Sequence, residues 1–246
     1  MRELAGRVVL ISGGGSGLGR AIARRVAKAG AQPVVGDLDA AGAQQTVELV
    51  RNAGGSAEWL ELDVTDVASV RSAVETTIGR HGDRFDALVN NAGTDRGAGI
   101  LELTDEKWEQ VVAVNQTGPL YLTQEFLRAI GTGDREYPAD VVNVISISAI
   151  TVGADAAAYN SSKAALAMLT RVMQREAHEY RWPARIHGLM PSAMNTPMMD
   201  QWQLSEDVMM DPDTVASAVE FMMTLPPDTF VQNLVINSRR EPGWPR

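Results

Sequence analysis

Residues 6–30 read GRVVLISGGGSGLGRAIARRVAKAG: a short apolar run from Val8 to Ile11 enters a glycine-rich turn and leaves as a helical pattern. This is strand, turn, helix. Gly13 permits the tight turn, Gly17 lets the backbone approach a pyrophosphate, and Gly19 lets the helix pack close to the strand, while the helix N-terminus offers unpaired N–H groups to an anion. The spacing Gly13-x-x-x-Gly17-x-Gly19 differs from the commoner G-x-G-x-x-G. A second apolar run, Pro33 to Gly36, ends in Asp37, eighteen residues beyond Gly19, where an acid receives ribose hydroxyls.

The pattern repeats outward. Short β-branched runs near 8–12, 33–37, 57–62, 86–90, 140–146, 184–189 and 233–237 alternate with longer amphipathic or Ala-rich stretches. Each parallel connection needs a crossover, so the alternation predicts an α/β fold: a doubly wound, parallel seven-stranded sheet with helices on both faces. With 246 residues, 45% hydrophobic and no linker or repeat, residues 1–246 are expected to form one NAD(P)-binding Rossmann domain. No apolar run approaches membrane-spanning length and no cleavable leader is visible, so a soluble cytoplasmic protein is expected. Zero Cys excludes disulfides and thiolate metal sites, and His81, His178 and His187 have no ligand spacing, so no metal is expected. A net charge of −9 argues against general nucleic-acid binding.

Tyr159 and Lys163 stand four residues apart in AAAYNSSKAALAML, which reads as helix, so both side chains share one face. The chain has four Tyr and only three Lys, which makes a chance pair at this spacing rare. A Tyr hydroxyl beside an ammonium suits acid/base work; the alternative is an amphipathic helix with a solvated Lys.

With these motifs in order, the chain resembles the short-chain dehydrogenase/reductase family over nearly its whole length. The family's T-G-x-x-x-G-x-G appears as Ser12 to Gly19 with Ser for Thr, its Asp-Val as Asp63-Val64, and its N-N-A-G as Asn90 to Gly93. The segment VVAVNQTGPLYLTQ resembles the helix carrying the family's Asn, here Asn115. The catalytic Ser falls at Ser146, three residues after Asn143 and thirteen before Tyr159, in preference to Ser148. After the sixth strand, P-G-x-x-x-T appears as Pro191, Ser192 and Thr196.

The resemblance implies a tetrad of Asn115, Ser146, Tyr159 and Lys163. Tyr159 takes the hydroxyl proton while hydride leaves the carbinol carbon for nicotinamide C4, and donates a proton in reduction. Lys163 favours the phenolate and reaches the nicotinamide ribose; Ser146 polarises the substrate oxygen; Asn115 holds a water linking Lys163 to solvent. It also implies a cofactor site of Ser12, Gly13, Ser16, Gly17, Leu18, Gly19, Asp37, Asp63, Val64, Asn91, Gly93, Tyr159, Lys163, Met194 and Thr196. Asp37 accepts from both adenine-ribose hydroxyls and repels a 2′-phosphate, Leu38 supplies no compensating charge, and Ser16 stands where many NADP(H)-using relatives carry a basic residue. NAD(H) is therefore expected ahead of NADP(H). Within DLDAAG, Asp39 is the better helix cap.

Two departures from the family stand out. Ser192 adds a Cβ after Pro191, and the tail from Arg239 to Arg246 is basic and Pro-containing, with Trp244 as a surface or docking contact. The Met-rich segment near 194–211 reads as a short substrate lid or as ordinary helix-face packing. Specificity is expected from loops Thr94 to Gly99, Ile150 to Ala156 and Met194 to Met210, which favour a neutral or weakly polar small-molecule alcohol or carbonyl; Arg96 alone offers an anion clamp. The helices at about 105–130 and 157–180 suggest a homotetramer or homodimer on the resemblance. Competing readings are an NADP(H)-dependent 3-oxoacyl-type reductase and a cofactor-sensing protein without turnover.

Overall fold

Val8 to Ser12 are wholly buried, as a strand covered on both faces requires, and they form the second-innermost strand of a parallel sheet. The computed structural model describes residues 2–131 and 135–240; Trp244 and the end of the tail lie outside the described residues. The strands are β1 (Val8–Ser12), β2 (Gln32–Asp37), β3 (Glu58–Glu61), β4 (Phe85–Asn90), β5 (Ala139–Val144), β6 (Ala184–Pro191) and β7 (Leu234–Ile236). Their order is β3-β2-β1-β4-β5-β6-β7, all parallel. The predicted doubly wound single domain is thus observed.

The helices are α1 (Gly17–Lys28), α2 (Ala40–Asn52), α3 (Val67–His81), α4 (Asp105–Val112), α5 (Gly118–Ile130), α6 (Ala157–Glu179) and α7 (Pro212–Met223). Period-two alternation distributes the strand side chains between two helical layers. Val9, Ile11, Val35, Val89, Val142 and Leu189 face α1, α2 and α7. Val8, Leu10, Val34, Leu88, Val141 and Ile186 face α3, α5 and α6. Fully buried side chains such as Ile22 and Val26 of α1 each contribute roughly 1.5–3 kcal/mol.

The foot of the sheet carries a charge cluster not anticipated from the sequence. Asp140 accepts from Arg7 Nη2 at 2.6 Å, Arg185 Nε at 2.6 Å and His187 Nε2 at 3.0 Å, while Arg7 Nε reaches Asp86 at 2.8 Å. His187 Nδ1 accepts from the Val231 N–H at 3.0 Å, which leaves the proton on Nε2. Burial alone would push Asp140 up, but the hydrogen bond from His187 and the Arg7 charge together hold its carboxyl below the usual range. Arg7 and Arg185 also bind the carbonyls of Met223, Pro226 and Thr229, which fixes the connection from α7 to β7.

Chain order reverses between β1 and β4, so the loops after these two strands diverge and leave a crevice at their C-terminal ends. That crevice is the mouth of a cavity of about 1040 Å³.

Candidate active site

The glycine turn is built by backbone contacts that no side chain would tolerate. Gly13 has φ +65, and a Cβ there would sit 2.8 Å from the Ala92 Cα. A Cβ on Gly19 would lie 2.1 Å from the Gly13 carbonyl oxygen, so α1 starts directly on the turn. Gly17 has φ +47 and faces Thr196 across the crevice. Asn91 staples the turn: its Nδ2 donates to the Ser12 and Gly13 carbonyls, each at 3.0 Å. The Ser12 hydroxyl accepts from the backbone N–H groups of Asn91 and Ala92 at 3.1 Å.

Helices α2, α3, α4 and α7 are closed at their N-termini by the side chains of Asp39, Asp66, Thr104 and Asp211. At α1 the Ser16 side chain makes no such bond. First-turn N–H groups of α1 therefore keep their capacity for an anion. Together with the glycine cradle, this fits the pyrophosphate of a dinucleotide.

Of the residues expected to bind cofactor, Gly13, Ser16, Gly17, Leu18, Asp37, Asp63, Val64, Asn91, Gly93, Tyr159, Lys163, Met194 and Thr196 line the cavity. Ser12 and Gly19 stand behind that wall, as supports of the turn. Asp37 at the end of β2 accepts from the Gly15 N–H at 2.8 Å and from the Asp39 N–H at 2.9 Å. Its carboxylate is thereby oriented by the glycine turn itself, while Asp39 caps α2 as expected. Asp63 is held by Thr65, whose N–H and hydroxyl donate at 2.8 and 2.7 Å.

Tyr159, Lys163 and Ser146 converge on the opposite end of the same cavity. α6 brings Tyr159 and Lys163 to one face, with Lys163 Nζ 5.7 Å from the Tyr159 ring centroid. Ser146 lies two residues beyond the end of β5, where its hydroxyl accepts from the Ser148 N–H at 3.1 Å and is close enough to Tyr159 to lower its pKa. Ser148 also lines the cavity.

The charge state differs from the expectation that Lys163 depresses the tyrosine. Burial pushes Tyr159 up to about 12, against the opposing hydrogen bond from Ser146. Burial likewise brings Lys163 down to about 8. Its ammonium is aimed at the Val144 carbonyl, 3.0 Å away, and does not overcome the desolvation of the phenolate.

Asn115 lies fully buried behind the cavity wall. The single helix expected over 105–130 is interrupted by a π-helical turn, Ala113–Thr117, that separates α4 from α5. The Asn115 side chain accepts from the Thr94 N–H at 2.8 Å and donates to the Thr94 carbonyl at 2.9 Å and the Ser162 hydroxyl at 3.1 Å. It thus ties the loop after β4 to α6. An ideal Cβ built on Gly93 would lie 3.5 Å from Asn115 Oδ1 and 3.7 Å from Lys163 Nζ, so both groups flank that glycine.

Residues 7–207 match the family model described as short chain dehydrogenase. The chain belongs to this family. This dehydrogenase is 35% identical over 197 residues to 2,5-dichloro-2,5-cyclohexadiene-1,4-diol dehydrogenase LinX of Sphingobium indicum, covering 80% of this chain and 76% of the relative. It is 34% identical over 176 residues to the rhamnolipids biosynthesis 3-oxoacyl-[acyl-carrier-protein] reductase of Pseudomonas aeruginosa, covering 71% and 68%. A solved actinorhodin polyketide ketoreductase with NADPH superposes with a TM-score of 0.84 at 28% identity, over 98% of this chain and 99% of that one. The dehydrogenase is accordingly an NAD(P)-dependent oxidoreductase of alcohols and carbonyls.

Other features escaped sequence reasoning. Asp95 and Trp202, 107 positions apart, meet in a 3.0 Å hydrogen bond at the cavity wall. Asn90, Asn143, Thr123 and Thr170 form a buried ladder of hydrogen bonds behind the site. Polar residues in apolar strands were the available signal. Ser192 is not strained: its backbone φ is not positive, and its hydroxyl accepts from the Ser238 N–H at 3.0 Å, tying the stretch just after β7 to the end of β6. No helix among the described residues is long and apolar enough to cross a membrane, and no metal-binding cluster occurs among them.

Proposed function

We propose that this dehydrogenase interconverts a secondary alcohol and a carbonyl, prefers NAD(H), and uses Tyr159 as its acid/base. The observation that carries the reading is the single cavity joining Asp37 and the glycine turn at one end to Tyr159, Ser146 and Lys163 at the other. When bound, the nicotinamide supplies or accepts the hydride. The chain's own groups handle the oxygen and its proton. Tyr159 stays protonated through the neutral range and donates to a carbonyl oxygen that Ser146 orients. Lys163 compensates the phenolate left behind, and Asn115 fixes the loop over Lys163. Met194 and Thr196 border the nicotinamide end, and the segment near 194–211 acts as a substrate lid.

Preference for NAD(H) is supported by charge. Among the described residues lining the cavity, Lys163 is the one cation, so none of them offers a 2′-phosphate a partner beside Asp37. Arg20, near the turn, is committed to the Gly15 carbonyl and to Thr46 Oγ1. The similarity to proteins named for an NADPH complex and for 3-oxoacyl reduction keeps NADP(H)-dependent reduction as the alternative. Exposed Trp108 on α4 and Met168 and Val172 on α6 support a homodimer or homotetramer through these helices; a monomer by light scattering at micromolar concentration would overturn that assembly.

The test is fluorescence titration with NADH and NADPH, followed by turnover of a panel of ketones and secondary alcohols by wild type and Tyr159→Phe. Tighter NADH binding, with turnover lost by roughly 10²–10⁴-fold in the Phe variant, is expected. Undiminished turnover in Tyr159→Phe would remove the tyrosine from its role.

A further inference from the structure

Asp95 is a buried carboxylate that the chemistry just described does not use. It is 9% exposed, yet it lines the substrate end of the cavity beside apolar or small residues such as Ile147, Ala154, Met198 and Met199. A desolvated carboxylate in such a wall is costly unless something donates to it. One donor distant in sequence is present: Trp202 Nε1 at 3.0 Å. No cationic side chain pairs with it among the described residues, since Arg96 turns its Nε to Gln110 at 3.2 Å. A carboxylate has about four acceptor positions, so the indole N–H and the neighbouring Arg96 backbone N–H together leave capacity to spare.

Its placement is fixed relative to the reacting group. The Ala98 N–H donates to the Asp155 carbonyl at 2.8 Å, which stitches the loop after β4 to the segment entering α6 just before Tyr159. Trp202 packs over the same loop, with its ring 3.0 Å from where a Cβ on Gly97 would stand. Asp95 is close enough to Tyr159 for its charge to act on the phenol. Two further carboxylates, Glu106 and Glu109, lie exposed at the rim, and Lys163 is the one lining cation among the described residues. The substrate end is therefore rich in acceptors and poor in partners for an anion.

We infer that Asp95 is a specificity-determining residue that selects substrates carrying a second hydrogen-bond donor, a hydroxyl or an ammonium, near the reacting alcohol or carbonyl carbon. The inference rests on the oxidoreductase reading above and names the substrate class for that site. Hydroxy-ketones, diols and amino alcohols fit; keto acids do not. A charge-assisted hydrogen bond made inside the cavity favours the donor-bearing substrate by about tenfold or more, expressed chiefly in KM.

The experiment uses the full chain and a matched set of cyclic ketones: the parent, those bearing one hydroxyl or one amino group at positions 2, 3 or 4, and the corresponding keto acids. Binding of NADH and loss of parent-ketone turnover in Tyr159→Phe check the oxidoreductase reading separately. In wild type, kcat/KM should rank at least one hydroxy- or amino-ketone above the parent, and the parent above the keto acids. A better amino- than hydroxy-ketone would mark the donor as ammonium, the reverse as hydroxyl. Asp95→Asn should collapse the ratio of donor-bearing to parent substrate about tenfold, whereas Trp202→Phe, which frees the carboxylate, should preserve it. The inference is overturned if keto acids lead in wild type, a measurement that needs no variant to fold. It is equally overturned if both variants depress all substrates in the same proportion, as a mere Asp95–Trp202 tether would.

Discussion

Ionisation of Tyr159 is the property on which its proposed acid/base role turns, and burial sets it against alcohol oxidation. With its hydroxyl pushed up to about 12, only about one molecule in ten thousand carries the phenolate at pH 8. Half-ionisation at pH 8 requires about 5 kcal/mol of added preference for the charged form, at about 1.36 kcal/mol per tenfold. Lys163 supplies part of it: at the 5.7 Å between Nζ and ring centroid, a unit charge contributes about 3 kcal/mol at an effective dielectric of 20. Burial, however, leaves Lys163 at about 8, so above that pH its ammonium fades. The remaining ~2 kcal/mol is of the size that a second positive charge, such as an oxidised nicotinamide, provides at similar range. The assay is the phenolate absorbance of wild type minus Tyr159→Phe, which subtracts Tyr121, Tyr137 and Tyr180, followed through pH with and without saturating NAD. Protein alone should show no Tyr159 phenolate below about pH 11; with NAD, ionisation should move towards neutrality. A phenolate already present near pH 8 in protein alone would refute the burial argument, and no movement with NAD would refute the electrostatic one.

Three further outcomes follow from the geometry. Gly19→Ala places a methyl 2.1 Å from the Gly13 carbonyl, so the turn must shift; a stability loss of about 1–3 kcal/mol in urea and at least tenfold weaker NADH binding are expected. Wild-type affinity in that variant would show that the turn does not form the cradle described. Asp37→Ala should narrow the gap between NADH and NADPH affinity about tenfold or more by removing the repulsion of a 2′-phosphate, and unchanged selectivity would exonerate Asp37. Asp140→Asn takes from Arg185 its carboxylate partner and leaves Arg7 with Asp86 alone, and should cost about 3–5 kcal/mol by denaturant titration. Because the folded Asp140 carboxyl is held low, its stabilisation is present above the unfolded value near ~3.9 and disappears as pH falls through the folded value. The difference between wild type and variant should therefore be constant near neutrality and shrink below about pH 4, whereas a difference independent of pH would mean that charge is not the cause.

The strands were legible because parallel strands buried on both faces read as continuous apolar runs, and helix α6 because its pattern is long and uninterrupted. Edge strands were less distinct: β3 is only partly covered, and β7 is three residues long. The strand expected over 140–146 ends at Val144, since Ser146 leaves the ladder to open a short 3₁₀ turn. Local sequence also did not display the π-turn at Asn115, whose cause is a side chain drawn to Thr94 and Ser162, far along the chain. The same holds for Asp140: its partners Arg7, Arg185 and His187 each look like an isolated polar residue until the sheet sets them side by side. Motif spacing singled out Asn115, Ser146, Tyr159 and Lys163, but it carries no information on dielectric environment, so the charge states of Tyr159 and Lys163 emerged only with burial.

The two ends of the sheet divide the electrostatic work. At the N-terminal ends of β4, β5 and β6, opposite charges are mutually paired and tied to the chain that follows α7, an arrangement that holds the fold. At the C-terminal ends, Asp37, Asp63 and Asp95 have no cationic side-chain partner among the described residues, and they share the cavity with one lysine. Charges of one sign held apart are unfavourable for folding and useful for binding, because each retains acceptor capacity for a ligand donor. Ser192 stands at this second end too, where its hydroxyl accepts from the Ser238 N–H beside the loop that carries Met194 and Thr196. The hydroxyl at position 192 thereby joins the end of β6 to the stretch just after β7.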